Sequence, residues 1–233
     1  MDGYLEYFNV PEQEHYDHEW EFVDHVIYIN LSKATERNLI IKKELSPIPS
    51  HKITRLEAIL DTPGSIGCTK SHIAALQLSI DNNWKNVLIV EDDVMWHQYS
   101  TGIQTLRKLI QKHSYYDVIT LGNTFAEFED SFRLTKGNST SAYLVNQHYF
   151  RTLQDNYKEG LQQLMTIQGM EAHDKINRDQ IEMNYAIDQY WIMLQKRDLW
   201  YIVHPALAIQ RPIYSDIEEK IQDYRSYYNG FQL

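Results

Sequence analysis

Glu91, Asp92 and Asp93 follow directly on four apolar residues, Val87-Leu88-Ile89-Val90. Three adjacent carboxylates repel one another, so a chain that gathers them at the end of an apolar run needs something to neutralise them. A divalent cation does so, and hard oxygen ligands suit Mg2+ or Mn2+. A strand continuing through the triplet would turn Glu91 and Asp93 to one side and Asp92 to the other. The same residues would also serve a solvated acidic loop, a phosphohydrolase or a phosphoacceptor domain. Position favours a site, because ligands of open α/β sheets gather beyond the carboxyl ends of strands. Cys68 is the single cysteine and has no paired base beside it, so it reads as a packing residue rather than a nucleophile.

The surrounding pattern supplies the elements that would hold these groups. Short continuous apolar runs at 26–31, 87–90, 118–121, 142–145 and 200–203 predict buried strands, with a further strand at 52–55. Residues 34–45 are rich in good helix formers and stop at Ser46-Pro47-Ile48-Pro49-Ser50, which cannot continue a helix. Helical spacing recurs at Ile73, Leu76 and Ile80, at Ile103, Leu106 and Ile110, and at Ile187, Tyr190, Trp191 and Leu194. Strands alternating with helices predict an α/β domain with a largely parallel sheet. The polar stretches 127–139 and 160–180 read as loops or lids. Residues 1–22 read as a peripheral arm and 23–233 as one domain.

With 43% apolar residues, the 233-residue chain can bury a full core. Its formal net charge of −10 argues against nucleic acid as the main partner, although a basic pocket can sit inside an acidic whole. One cysteine excludes an intrachain disulfide and fits a reducing compartment. The start of the chain lacks the basic and apolar segments of a signal peptide, and no apolar run approaches ~18 residues. The expectation is a soluble, cytoplasmic protein without a membrane span.

Six motifs in order resemble glycosyltransferase family 25. They are Tyr28-Ile29-Asn30-Leu31 with Arg37, Thr54-Arg55-Leu56-Glu57-Ala58, Gly67-Cys68-Thr69-Lys70-Ser71-His72, Leu88-Ile89-Val90-Glu91-Asp92-Asp93-Val94, Ser141-Ala142-Tyr143-Leu144-Val145 and Ser215-Asp216-Ile217. The family's acidic-Gly ending after the second strand is replaced here by Ile59-Leu60-Asp61-Thr62. The resemblance implies a single GT-A-type, Rossmann-like domain, with a mixed, mostly parallel central sheet flanked by helices. It also implies inverting transfer of a hexose, galactose or glucose, from a UDP-sugar to a hydroxyl on a glycan or a hydroxylysine-bearing protein. The alternative is a catalytically silent domain of the same fold, binding nucleotide sugar or partners as a scaffold.

By the same resemblance, Glu91, Asp92 and Asp93 stand where the family has its DxD-like motif for Mn2+ (or Mg2+) and the donor. Asp93 would be the direct ligand, with Glu91 and Asp92 dividing metal and ribose contacts. His204, after the strand Tyr201-Ile202-Val203, is a further candidate metal ligand by fold analogy, or a structural histidine. Asn30 and Leu31 would cradle the base, Arg37 and Arg55 would meet the diphosphate or hold the base pocket, and Glu57 and Ala58 would border the ribose. Ser71 and His72 would lie near the donor. Asp188, in Ala186-Ile187-Asp188-Gln189-Tyr190-Trp191, would be the general base, against the plainer reading of an acid stabilised by a helix dipole. Trp96 and Trp191 would stack on sugar faces, or Trp191 would belong to the core.

Overall fold

Val87 to Val90 offer no polar face, so the strand they form has to be covered on both sides. In the computed structural model, which describes residues 19–171, 174–215 and 220–231, it lies inside a six-stranded sheet. The strands and helices in chain order are β1 (His25–Asn30), α1 (Thr35–Glu44), β2 (Ile53–Glu57), α2 (Gly64–Asp81), β3 (Asn86–Glu91), β4 (Val94–Trp96), α3 (Tyr99–Lys112), β5 (Val118–Thr120), β6 (Thr124–Phe128), β7 (Leu134–Asn138), β8 (Ala142–Asn146), α4 (Phe150–Leu164), α5 (Lys175–Tyr185), α6 (Ile187–Tyr190), α7 (Ile192–Arg197), β9 (Trp200–Ile202), β10 (Ala208–Gln210), β11 (Ile213–Ser215) and β12 (Lys220–Gln222). The main sheet runs β2-β1-β3-β8-β5-β9. Three pairings are parallel, and β8 lies antiparallel to both neighbours, which gives the mixed, mostly parallel sheet expected.

Alternation along the strands divides the interior into two cores. Val26, Tyr28, Leu88, Val90, Leu144 and Ile119 face Ile41 of α1 and Ile103, Leu106 and Leu109 of α3. Ile27, Ile29, Val87, Ile89, Tyr143 and Val145 face Ala75 and Leu76 of α2 and Phe150, Leu153 and Tyr157 of α4. The domain is therefore three layers, helices on both faces of one sheet.

Several expectations shift. Residues 127–139 are not a lid: β6 and β7 form a hairpin in which Glu127 is exposed while Leu134 and Asn138 are buried. Residues 160–180 are mostly helical, comprising the end of α4, a 3-10 turn at Met165–Gly169 and the start of α5. Helix α2 begins at Gly64, well before the apolar spacing at Ile73 shows it, because Ile66 is the one large apolar residue in Gly64-Ser65-Ile66-Gly67-Cys68. Trp20, inside the stretch read as a peripheral arm, is fully buried against Trp96; the rest of that stretch, 1–18, lies outside the described residues. Asp216 and Ile217 lie outside them as well. Among the described residues, no helix is long and apolar enough to cross a membrane.

Candidate active site

From β1 the chain crosses to β2 on one side and then returns to β3 on the other. This reversal opens a crevice at the carboxyl ends of β1 and β3, the place where sheets of this kind bind ligands. A cavity of about 500 Å3 fills it, lined by Asn30, Leu31, Arg37, Ala58, Ser71, His72 and all three acids of the triplet. Strand β3 ends at Glu91 and a turn follows, so strict strand alternation does not carry through to Asp93. All three acids nevertheless line the cavity.

Each carboxylate has its own surroundings. Asp92 is 6% exposed and its two oxygens are taken by Arg37 and by the Asn30 amide at 2.6 Å. Burial raises its pKa against the opposing pull of Arg37 and Asn30. Glu91 accepts from Thr140 Oγ1 at 2.5 Å and lies 3.2 Å from His72 Nε2. Burial would raise it too, but the contacts from His72 and Thr140 and the charge of Arg37 outweigh that and hold it below the usual range. Asp93 is different. Its Oδ1 is buried without a hydrogen-bond partner, Arg37 stands 3.8 Å from Oδ2, and Gln210 reaches Oδ2 at 3.4 Å. Burial, then the charge of Glu91, pushes its carboxyl up to about 7. A buried carboxylate oxygen with nothing to accept from is costly unless a cation meets it.

The remaining donor-side candidates fall into two groups. Leu31, Ala58, Ser71 and His72 line the cavity. Ser71 is also a clamp: its hydroxyl accepts from Ile59 N at 2.8 Å and donates to Gly67 O at 2.7 Å, tying the 59–61 loop to α2. Gly67 permits that approach, since a Cβ there would sit 2.4 Å from Ile59 O. Arg55 and Glu57 do not line the cavity. Arg55 donates to Asn30 Oδ1 at 3.0 Å and pairs with Glu57 at 2.8 Å, while Glu57 accepts from Ser32 N at 2.7 Å. They brace the β1 end behind Asn30. Cys68 is only partly buried, at the point where α2 meets Glu91, and burial of its thiol with Glu91 near raises its pKa well above the usual value.

A second cavity of about 350 Å3 opens on the other side of Glu91. It shares Cys68, Glu91 and Gln210 with the first and adds Asp188. Asp188 accepts from Ser139 N at 3.0 Å, and burial, with the charge of Glu91 behind it, raises its pKa. Asp188 and Glu91 thus line the second cavity together, while Asp92 and Asp93 line only the first.

Three candidates lie elsewhere. His204 follows β9, at the far edge of the sheet, and packs against Phe128 and Phe132 with Asn229 Nδ2 3.3 Å from its Nδ1; it lines neither cavity. Trp96 packs on Trp20 and donates to Glu44 O at 2.6 Å. Trp191 is fully buried, packs on Trp200 and donates to Gly137 O at 2.9 Å, so the core alternative holds for it.

Four cavity residues escaped sequence reasoning. Lys33 and Arg178 add positive charge, Gln210 arrives from β10, and Thr140 precedes the Ser141–Val145 motif by one residue. Only Thr140 had a signal, its adjacency to a motif. Arg178 sits in the polar stretch read as a lid, and Gln210 is brought in by β10 pairing with β4.

Comparison with curated proteins finds no match. Among solved structures, a glycosyltransferase involved in the glycosylation of the major capsid of PBCV-1 aligns at 10% identity over 84% of this chain and 96% of its own, TM-score 0.48. A putative nucleotide-diphospho-sugar transferase from Desulfovibrio desulfuricans aligns at 10% identity over 77% and 79%, TM-score 0.37. Mannose-1-phosphate geranyltransferase from Thermus thermophilus aligns at 9% over 78% and 73%, TM-score 0.42. Likenesses this distant carry no functional argument. The family model of Glycosyltransferase family 25 (LPS biosynthesis protein) matches residues 60–169, a little under half of the chain; the motifs at Tyr28, Thr54 and Ser215 fall outside that stretch. The resemblance to glycosyltransferase family 25 thus holds across residues 60–169, the part of the chain that carries Gly67–His72, Glu91–Asp93 and Tyr143.

Proposed function

We propose that the protein is a metal-dependent, inverting glycosyltransferase that moves a hexose, galactose or glucose, from a UDP-sugar to a hydroxyl acceptor on a glycan or protein. The observation that carries this is the buried, unpartnered Oδ1 of Asp93, a residue that lines the cavity at the switch point of the sheet. Its surroundings fit a hard cation such as Mn2+ or Mg2+, because the donors are carboxylate oxygens. Asp93 and Glu91 would hold it; Asp92, already satisfied by Arg37 and Asn30, would keep the turn in place. His204 is not part of this set.

Charge supports the donor. Lys33, Arg37 and Arg178 against Asp61, Glu91, Asp92 and Asp93 leave the cavity lining at 3 − 4 = −1. A divalent cation would bring it to about +1, which suits a diphosphate. When bound, that cation would supply charge stabilisation for the departing nucleoside diphosphate. Arg37 and Arg178 would hold the phosphates, and Asn30, Leu31 and Ala58 would seat the nucleoside. On the acceptor side, Asp188 would take the proton of the attacking hydroxyl as its oxygen bonds the anomeric carbon and the bond to UDP breaks. A carboxylate whose pKa is raised by burial is a stronger base for that step.

The test is UDP release from a panel of UDP-hexoses, with and without Mn2+, together with Asp188→Asn. The reading expects Mn2+-dependent release that falls at least ~100-fold in Asp188→Asn while UDP binding survives. Equal turnover in wild type and Asp188→Asn would remove the base; UDP binding with no transfer to any acceptor would favour the scaffold alternative.

A further inference from the structure

Cys68 and His72 stand four residues apart on α2, one turn, so their side chains project from the same face. Glu91, at the end of β3, meets them there. The Cys68 sulfur, a His72 ring nitrogen and a Glu91 oxygen all lie within 4.8 Å of one another. His72 Nε2 and Glu91 Oε1 are already 3.2 Å apart. Ligands around a tetrahedral zinc ion sit about 3.4–3.6 Å from each other, given metal–ligand bonds of about 2.0–2.3 Å. Small side-chain rotations therefore suffice to close the set.

Two features make this more than proximity. The far nitrogen of His72, Nδ1, is 2.7 Å from the hydroxyl of Tyr143, a fully buried residue, which fixes the ring and leaves Nε2 to face the sulfur and carboxylate. Cys68 and Glu91 line both cavities, so a fourth coordination position opens onto solvent or substrate.

We propose that Cys68, His72 and Glu91 form a second metal site, one for a thiophilic divalent cation of the zinc class, distinct from the hard-cation site assigned to Asp93. Sulfur and imidazole select softer ions than a carboxylate pair does. Because Glu91 belongs to both sites, a zinc-class ion bound here draws it away from the donor side and inhibits transfer. Binding itself does not depend on the transferase reading, so the two can fail separately.

Cobalt(II) titrated into the full chain is the direct probe. Cys68 is the only cysteine, so any thiolate-to-cobalt charge-transfer absorption can come from no other residue. Wild type is expected to show that absorption at one cobalt per chain, with loss on adding zinc. Cys68→Ser should lose the band, His72→Gln should weaken cobalt binding at least ~10-fold, and Asp93→Asn should keep the band. Absence of the band in wild type, which needs no variant to fold, overturns the proposal. So does its persistence in Cys68→Ser, its loss in a folded Asp93→Asn, or one cobalt shared by two chains.

Discussion

Replacing Arg37 with methionine removes a guanidinium that faces two of the three acids. Asp92, 6% exposed, would keep the Asn30 amide at 2.6 Å but lose its charged partner. Breaking a buried ion pair costs about 3–5 kcal/mol. Because Arg37 is 19% exposed and Asn30 remains, the lower end applies, about 3 kcal/mol. For a chain of this length that is a fall of roughly 6–12 °C in Tm. The same change has an opposite effect on cation binding. Arg37 stands 3.8 Å from Asp93 Oδ2, and charges about 4 Å apart at an effective dielectric near 20 interact by about 4 kcal/mol. Removing that competitor should tighten Mn2+ by at least about tenfold, a third of the Coulomb figure. Thermal unfolding of Arg37→Met should thus show a large loss without Mn2+ and a larger Mn2+-induced recovery than wild type. Adding Asp92→Asn should recover at least about 1 kcal/mol of stability. An Arg37→Met protein within about 2 °C of wild type, with an unchanged Mn2+ response, would refute the reasoning.

Other changes have defined outcomes. Gly67→Ala places a Cβ 2.4 Å from Ile59 O, so the cavity loop must move; urea unfolding should show a loss of about 2 kcal/mol, with weakened UDP binding. His204→Ala should leave Mn2+ affinity unchanged by calorimetry, since His204 packs with Phe128 and Phe132. Asp198 accepts from Arg197, which lowers its pKa against the opposing effect of burial, and from Tyr149. A depressed folded pKa contributes stability above the unfolded value and loses it as pH falls through the folded one. Asp198→Asn should therefore cost about 1 kcal/mol near neutrality, and the difference from wild type should begin to shrink only as pH falls below about 4 in urea titrations.

The buried strands were readable because Val26–Ile29, Val87–Val90 and Ala142–Val145 are apolar on both faces, and burial on both faces is what a central strand requires. The hairpin β6–β7 is hidden for the converse reason: Thr124, Glu127, Thr135, Lys136 and Asn138 give it the composition of a loop. Helix α4 carries buried apolar residues at Phe150, Leu153, Tyr157 and Leu164, a helical spacing present in the sequence itself. The site divides similarly. Glu91–Asp93 announce themselves at the end of an apolar strand and Ser71 and His72 within a recognisable motif, and the fold gathers them. The family resemblance puts Arg55 and Glu57 at the donor, yet the parallel pairing of β1 with β2 sets these two β2 residues behind Asn30. Arg178 and Gln210 reach the cavity only through tertiary packing of α5 and β10, which no local pattern encodes. His204 sits at the end of a strand, as a ligand should, but of a strand three places from β3.

Calorimetric titration of UDP into the protein bears most directly on the role given to Asp93, run with Mn2+, with EDTA, and in Asp93→Asn. The account predicts uptake of one UDP per chain with Mn2+ and a loss of at least ~10-fold in affinity both with EDTA and in the folded variant. UDP bound equally well in all three, or in none, would contradict it.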